Sequence, residues 1–138
     1  MRWGLFLLNM QKKILNQILF LIVVIFFLNL LAMKFYWYWS IPWFDMLMHF
    51  LGGLFISLVL LWLNYFRGLL GSFSKKKAIL IAILGTLVIG LLWEIFEFSL
   101  DTFITEKSWD MADTFSDLFF DLLGAGIGTI YYYARLKE

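Results

Sequence analysis

Four apolar stretches, at about 14–33, 46–66, 78–100 and 114–134, take up almost all of a 138-residue chain. Each is close to the roughly 20 residues a helix needs to cross a hydrocarbon core of about 30 Å. A backbone in lipid must satisfy its own amides and carbonyls, and helices and closed barrels are the structures that do so. Runs this long, without alternation, predict helices. The expected fold class is therefore all-α: an integral membrane four-helix bundle, a single domain over 1–138. With 63% of residues hydrophobic and 15% charged, no stretch is left for a soluble domain. The net charge of +1 argues against a nucleic-acid partner, and a chain without cysteine has neither disulfides nor thiolate metal sites.

Basic residues predict the orientation. Arg2, Lys12 and Lys13 precede the first span, Arg67 and Lys75-Lys76-Lys77 lie between the second and third, and Arg135 and Lys137 follow the fourth. The other two connections contribute Lys34 and Lys107. By the positive-inside rule both termini and the 67–77 connection face the cytoplasm, giving a multi-pass protein of the cell (inner) membrane. The first span has no small-x-small cleavage site and is read as an uncleaved helix. Trp37, Trp39 and Trp43 with Tyr36 and Tyr38 form an aromatic belt at the outer interface.

Acids inside such a chain need a reason. "WEIFEFSLD" places Glu94, Glu97 and Asp101 at the outer end of the third span, and "DMADTFSDLFFD" places Asp110, Asp113, Asp117 and Asp121 at the outer end of the fourth. In the second span Asp45 lies in the first turn and His49 about 6 Å deeper. At about 100° per residue the four aspartates fall within a sector of about 80°, and the acids of the third span within about 60°. The same stripes continue inward as Gly52 or Gly53, Gly90, Gly124 and Gly128, the last two with G-x-x-x-G spacing. Small residues let helices approach closely, so Gly52, Gly90, Gly124 and Gly128 are the expected packing positions. The predicted arrangement is a three-helix wedge, tight in its inner half and splayed around a polar pocket in its outer half. Span one has Asn16 and Asn29 but no acid or histidine, and is expected to pack outside that pocket.

A charged side chain at the bilayer centre costs about 2.5–3.5 kcal/mol on the insertion scale. Several together mark a functional site. Asp45, His49, Glu94, Glu97, Asp113 and Asp117 form a mixed nitrogen and oxygen ligand set whose like charges call for protons or a cation. These ligand types suit Mg²⁺, Mn²⁺, Fe²⁺ or Zn²⁺, with His49, Glu94 and Asp117 as the candidate catalytic residues. A metal-free proton-handling site and a purely structural polar network are the alternatives. No nucleophile elbow, phosphate-cradling glycine loop, or heme or flavin motif is present.

The segments "FDMLMHFLGG", "WEIFEF" and "DMADTFSDLFFDLLGAGIG" resemble the signature of the YjdF-like family of small bacterial inner-membrane proteins over about 43–128. More remotely they resemble the VanZ-like family. Carried over by position, Asp45, His49, Glu94, Glu97, Asp110, Asp113, Thr114, Asp117, Gly124 and Ala125 match the first family, and Asp121 stands outside its pattern. The resemblance implies no particular activity.

Three functions fit these residues. The first is a metal-dependent enzyme acting on an envelope lipid or lipid-linked headgroup. The second is a small cation or proton transporter, which needs polar groups through the inner half. The third is a structural or binding subunit. Membrane lipids are the expected partners, and a homo-oligomer is compatible with all three. The orientation is testable by cysteine labelling. A cysteine at Ser108 should react with an impermeant reagent outside intact cells and one at Ser74 should not; the reverse pattern contradicts the orientation.

Overall fold

The computed structural model describes residues 2–64, 74–100, 102 and 110–136, without the side chains of 2–8 and 11. Arg67, Asp101, Lys107 to Trp109, Lys137 and the side chain of Arg2 therefore lie outside the described residues. The elements in chain order are α1 (Arg2–Phe35), α2 (Trp37–Ser40), α3 (Phe44–Trp62), α4 (Lys75–Leu100) and α5 (Met111–Arg135). Every described element is helical, as the apolar runs require.

Local chemistry sets the helix starts. Asp110 has extended backbone and accepts from the amides of Ala112 at 2.9 Å and Asp113 at 3.4 Å. It is the N-cap of α5, satisfying amides that have no partner within the helix. α1 ends at a left-handed residue, Tyr36, whose φ of 58° is uncommon for a residue with a Cβ. That turn redirects the chain into the short α2. Pro42, which lacks a backbone donor, sits just before α3, and Asp45 occupies the first turn of α3.

Among the described residues, three helical stretches are long and apolar enough to cross a membrane: Lys12–Phe35, Phe44–Trp62 and Lys75–Leu100. α5, which carries Asp113, Asp117 and Asp121, is not one of them. It is amphipathic in an inverted sense. Its aspartates 117 and 121 are buried, whereas Phe115, Phe119, Leu123, Ile127 and Ile130 form an exposed apolar stripe, Ile130 being 72% exposed.

α3 is the central helix and packs against α1, α4 and, most extensively, α5. Ile14 and Ile18 of α1, Leu58 and Leu61 of α3, Ala78 and Ala82 of α4 and Tyr132 of α5 form one buried cluster. The middle of α1 and the beginning of α4 thus meet the ends of α3 and α5, and the end of α1 lies by α2 through the Tyr38–Asn29 hydrogen bond, so the long helices alternate in direction. The acidic ends of α3, α4 and α5 are gathered at the opposite end.

The glycines show how closely α3 and α5 cross. A Cβ on Gly53 would run into the Asp121 carbonyl oxygen, and one on Gly124 into the Phe50 carbonyl oxygen and, at 2.8 Å, the Leu54 amide nitrogen. At Gly128 the obstruction is the Ser57 hydroxyl. Two of the expected packing positions behave differently. Gly52 has only Asp121 Oδ1, at 4.0 Å, so the backbone contact belongs to its neighbour Gly53. Gly90 faces the Asp121 carboxylate rather than another backbone. The tight crossing is also at the level of the acids, not confined to the inner half as the wedge requires. Ala32 of α1 is fully buried.

Gly126, where an added methyl would meet nothing within 4 Å, provides a control on the same helix. Gly126→Ala should stabilise the protein by about 0.5–1 kcal/mol, the ordinary helical preference for alanine. Gly124→Ala must push α3 and α5 apart and should destabilise by about 1–3 kcal/mol. Thermal unfolding in detergent measures both, and equal or reversed shifts contradict the close crossing.

Candidate functional site

The site is built on His49, one helical turn after Asp45 and buried between α3, α4 and α5. Its Nε2 lies 3.9 Å from Asp117 Oδ2 and 4.0 Å from Asp45 Oδ1, and its Nδ1 lies 3.4 Å from Asp121 Oδ2. One donor atom from each of Asp45, His49 and Asp117 falls within 4.8 Å of the others, and the same holds for His49, Glu94 and Glu97. The imidazole is shared by two overlapping triads. Asp117 is 2% exposed, Asp121 4% and His49 7%, whereas Asp45, Glu94 and Glu97 are only partly buried. Access is therefore from the side of Asp45 and the two glutamates.

Within this cluster, Glu94 Oε1 and Asp117 Oδ1 are buried without a hydrogen-bond partner among the described residues. Thr114, on the first turns of α5, lies beside Glu94, and Trp93 lies beside Glu97. Leaving a buried acceptor unpaired costs about 1–3 kcal/mol, more for a charged group. Five carboxyl groups around one imidazole, in a medium of low dielectric, cannot all be ionised unless a cation or protons neutralise them.

Asp45, His49, Glu94, Glu97 and Asp117 thus come together, as the helical stripes suggest. Asp113, one turn before Asp117, is exposed and belongs to neither triad. The splayed polar pocket takes the form of a packed cluster. Two apolar concavities open elsewhere among the described residues, one of about 470 Å³ along α4 from Lys77 to Ile89 and one of about 210 Å³ between Trp43, Met46, Leu47, Phe50 and Phe120. No member of the cluster lines either.

A sequence profile described as predicted membrane protein (DUF2238) matches residues 3–138. The chain belongs to this family. YjdF is a DUF2238 protein, so the family agrees with the YjdF-like signature, and the match lends no support to a VanZ-like assignment. Comparisons with curated proteins and with solved structures gave no significant match. DUF2238 membership establishes a predicted membrane protein and leaves the activity to be argued from the site.

Three features of this DUF2238 protein lie beyond the expected site and packing residues. Asp121 has the carboxylate oxygen nearest to His49, 3.4 Å from Nδ1; the i, i+4 stripe from Asp113 through Asp117 is the signal for it. Gly53, not Gly52, admits the Asp121 backbone. Tyr38 of α2 is the third. Its hydroxyl donates to Asn29 Oδ1 at 2.8 Å, and its ring meets Phe44 edge-on with centroids 5.2 Å apart. Burial, aided by the Asp45 and Glu97 carboxylates, pushes the Tyr38 phenol up to about 12. It therefore remains a protonated donor at neutral pH. α1, expected to play no part in the site, holds Tyr38 beside it through Asn29.

Proposed function

We propose that this DUF2238 protein is a four-span protein of the cell membrane, with both termini cytoplasmic, that binds a divalent cation at His49 and uses it on an envelope lipid or lipid-linked headgroup. The carrying observation is the Asp45, His49 and Asp117 triad with the unpartnered buried oxygens of Asp117 and Glu94 beside it. α5 supports the fourth span: it offers lipid the stripe from Phe115 to Ile130 and keeps Asp117 and Asp121 inward. Polar residues in membranes face protein interiors in this way.

The residues fit a cation by type and nearly by distance. Ligands about 2.0–2.2 Å from a tetrahedral ion lie roughly 3.3–3.6 Å apart, so the arms must close by about an ångström. Asp45, His49 and Asp117 would hold the ion, and Mg²⁺, Mn²⁺, Fe²⁺ and Zn²⁺ all accept this ligand set. When bound, such an ion supplies Lewis-acid polarisation of a phosphoryl or carbonyl oxygen and lowers the pKa of water. Glu94 and Glu97, on the open side, are placed to take a proton from an attacking hydroxyl or water. Exposed Trp93, Ile95 and Phe96 flank them, so a substrate in the bilayer reaches the carboxylates laterally.

The inner half favours this reading over transport. Its buried polar side chains Asn64 and Thr129 carry no ionisable group, and the fully buried Ser57 and Thr86 each donate to their own helix, Ser57 to Leu54 O at 3.0 Å and Thr86 to Ala82 O at 2.8 Å. Beyond them the packed Leu58, Leu61, Ala78 and Ala82 stand between the site and the other end. Metal analysis of detergent-purified protein tests the proposal. Wild type and Asp113→Asn should carry stoichiometric divalent metal and His49→Ala should lose it. Folded wild type that takes up none from a metal-supplemented buffer overturns it.

A further inference from the structure

The two ring nitrogens of His49 face different partners. Nε2 looks toward Asp117 and Asp45 at 3.9 and 4.0 Å, and Nδ1 toward Asp121 at 3.4 Å. An imidazole ligates through the nitrogen that carries no proton, and the partner of the other nitrogen decides which one that is. Asp121 has a side chain confined on several sides. A Cβ on Gly90 would stand 2.5 Å from its Oδ2 and 3.4 Å from its Cγ, and one on Gly52 would stand 4.0 Å from its Oδ1. Its backbone is lodged against Gly53. The residue has little freedom to turn elsewhere, and its Oδ2 is the oxygen nearest Nδ1.

We propose that Asp121 is the positioning residue of the site: seated in the niche left by Gly90, it accepts from Nδ1–H of His49 and leaves the Nε2 lone pair facing Asp45 and Asp117. This assigns a role to Asp121 and to a glycine whose nearest neighbours are side-chain atoms of Asp121 and Leu118. Carboxylates that hold metal-bound histidines in this manner typically change metal affinity about 10–100-fold when removed. The role rests on the cation reading for its purpose and can be measured without a cation.

His49 is the chain's only histidine, so isotope-labelled histidine gives a single imidazole signal set in nitrogen NMR. In metal-free, detergent-purified protein, at a pH high enough to leave the ring neutral, the proton should reside on Nδ1. Asp121→Ala should shift the ring toward the Nε2–H form, and Asp121→Glu should restore the wild-type pattern. Gly90→Ala should act in the direction of Asp121→Ala, because a methyl there displaces a carboxylate tip rather than backbone. A wild-type proton on Nε2, or an Asp121→Ala spectrum identical to wild type, overturns the proposal. Zinc titration separates this role from the cation site. A ring with Nδ1–H whose Nε2 signal ignores zinc supports Asp121 while refuting the cation. Zinc that shifts Nε2 equally, and with equal affinity, in wild type and Asp121→Ala refutes the positioning role alone.

Discussion

An imidazole surrounded by five carboxyl groups, in a chain otherwise made for lipid, sets the terms for the rest of this structure. Such groups cannot be dispersed over helices that face hydrocarbon, because each would then be unpaired and desolvated. They are gathered onto facing sides of α3, α4 and α5. Bringing Asp117 and Asp121 to His49 requires α5 to lie almost against the backbone of α3, and Gly53 and Gly124 remove the side chains that would prevent it. In lipid, where burial of apolar surface gives helices no reason to associate, close packing and polar contacts supply the attraction. The site and the helix crossing are therefore one feature: the glycines admit the aspartates, and the aspartates give α5 its inward face.

Much of this is legible in the residues. Long apolar runs specify helices, and the 3.6-residue period places Asp45 with His49, Glu94 with Glu97, and Asp113, Asp117 and Asp121 on shared faces. What periodicity lacks is the position of the neighbouring helix. Gly52 and Gly53 are adjacent and about 100° apart, and only the location of α5 selects Gly53. For the same reason Gly90 reads as a backbone contact in the sequence, when it makes room for a carboxylate tip. Asp113 and Asp121 share a stripe with Asp117, yet one is exposed and the other buried, because the stripe runs from the rim of the bundle into its interior. Tyr38 is hidden for another reason. A left-handed Tyr36 turns the chain back over the site, and a non-glycine residue gives little warning of that conformation.

The asymmetry between the two ends of the molecule bears on function. At one end the buried polar groups are ionisable and gather from three helices; at the other they are neutral, Ser57 and Thr86 satisfied within their own helices and Asn64 Oδ1 and Thr129 Oγ1 buried without a hydrogen-bond partner among the described residues. The first arrangement suits binding and the second suits closure. A partly exposed Asp45, two half-buried glutamates and a phenol anchored by α1 border the open side. Under the proposed function, a lipid headgroup would meet these before the buried His49.

The central claim is that His49 and its carboxylates form one cation-binding centre. X-ray absorption at the zinc edge of the zinc-loaded protein tests it most directly, because the chain has a single histidine. The account predicts a shell with one imidazole nitrogen at about 2.0–2.1 Å and oxygen ligands completing it. A shell of oxygen alone, with no imidazole scattering, would contradict it.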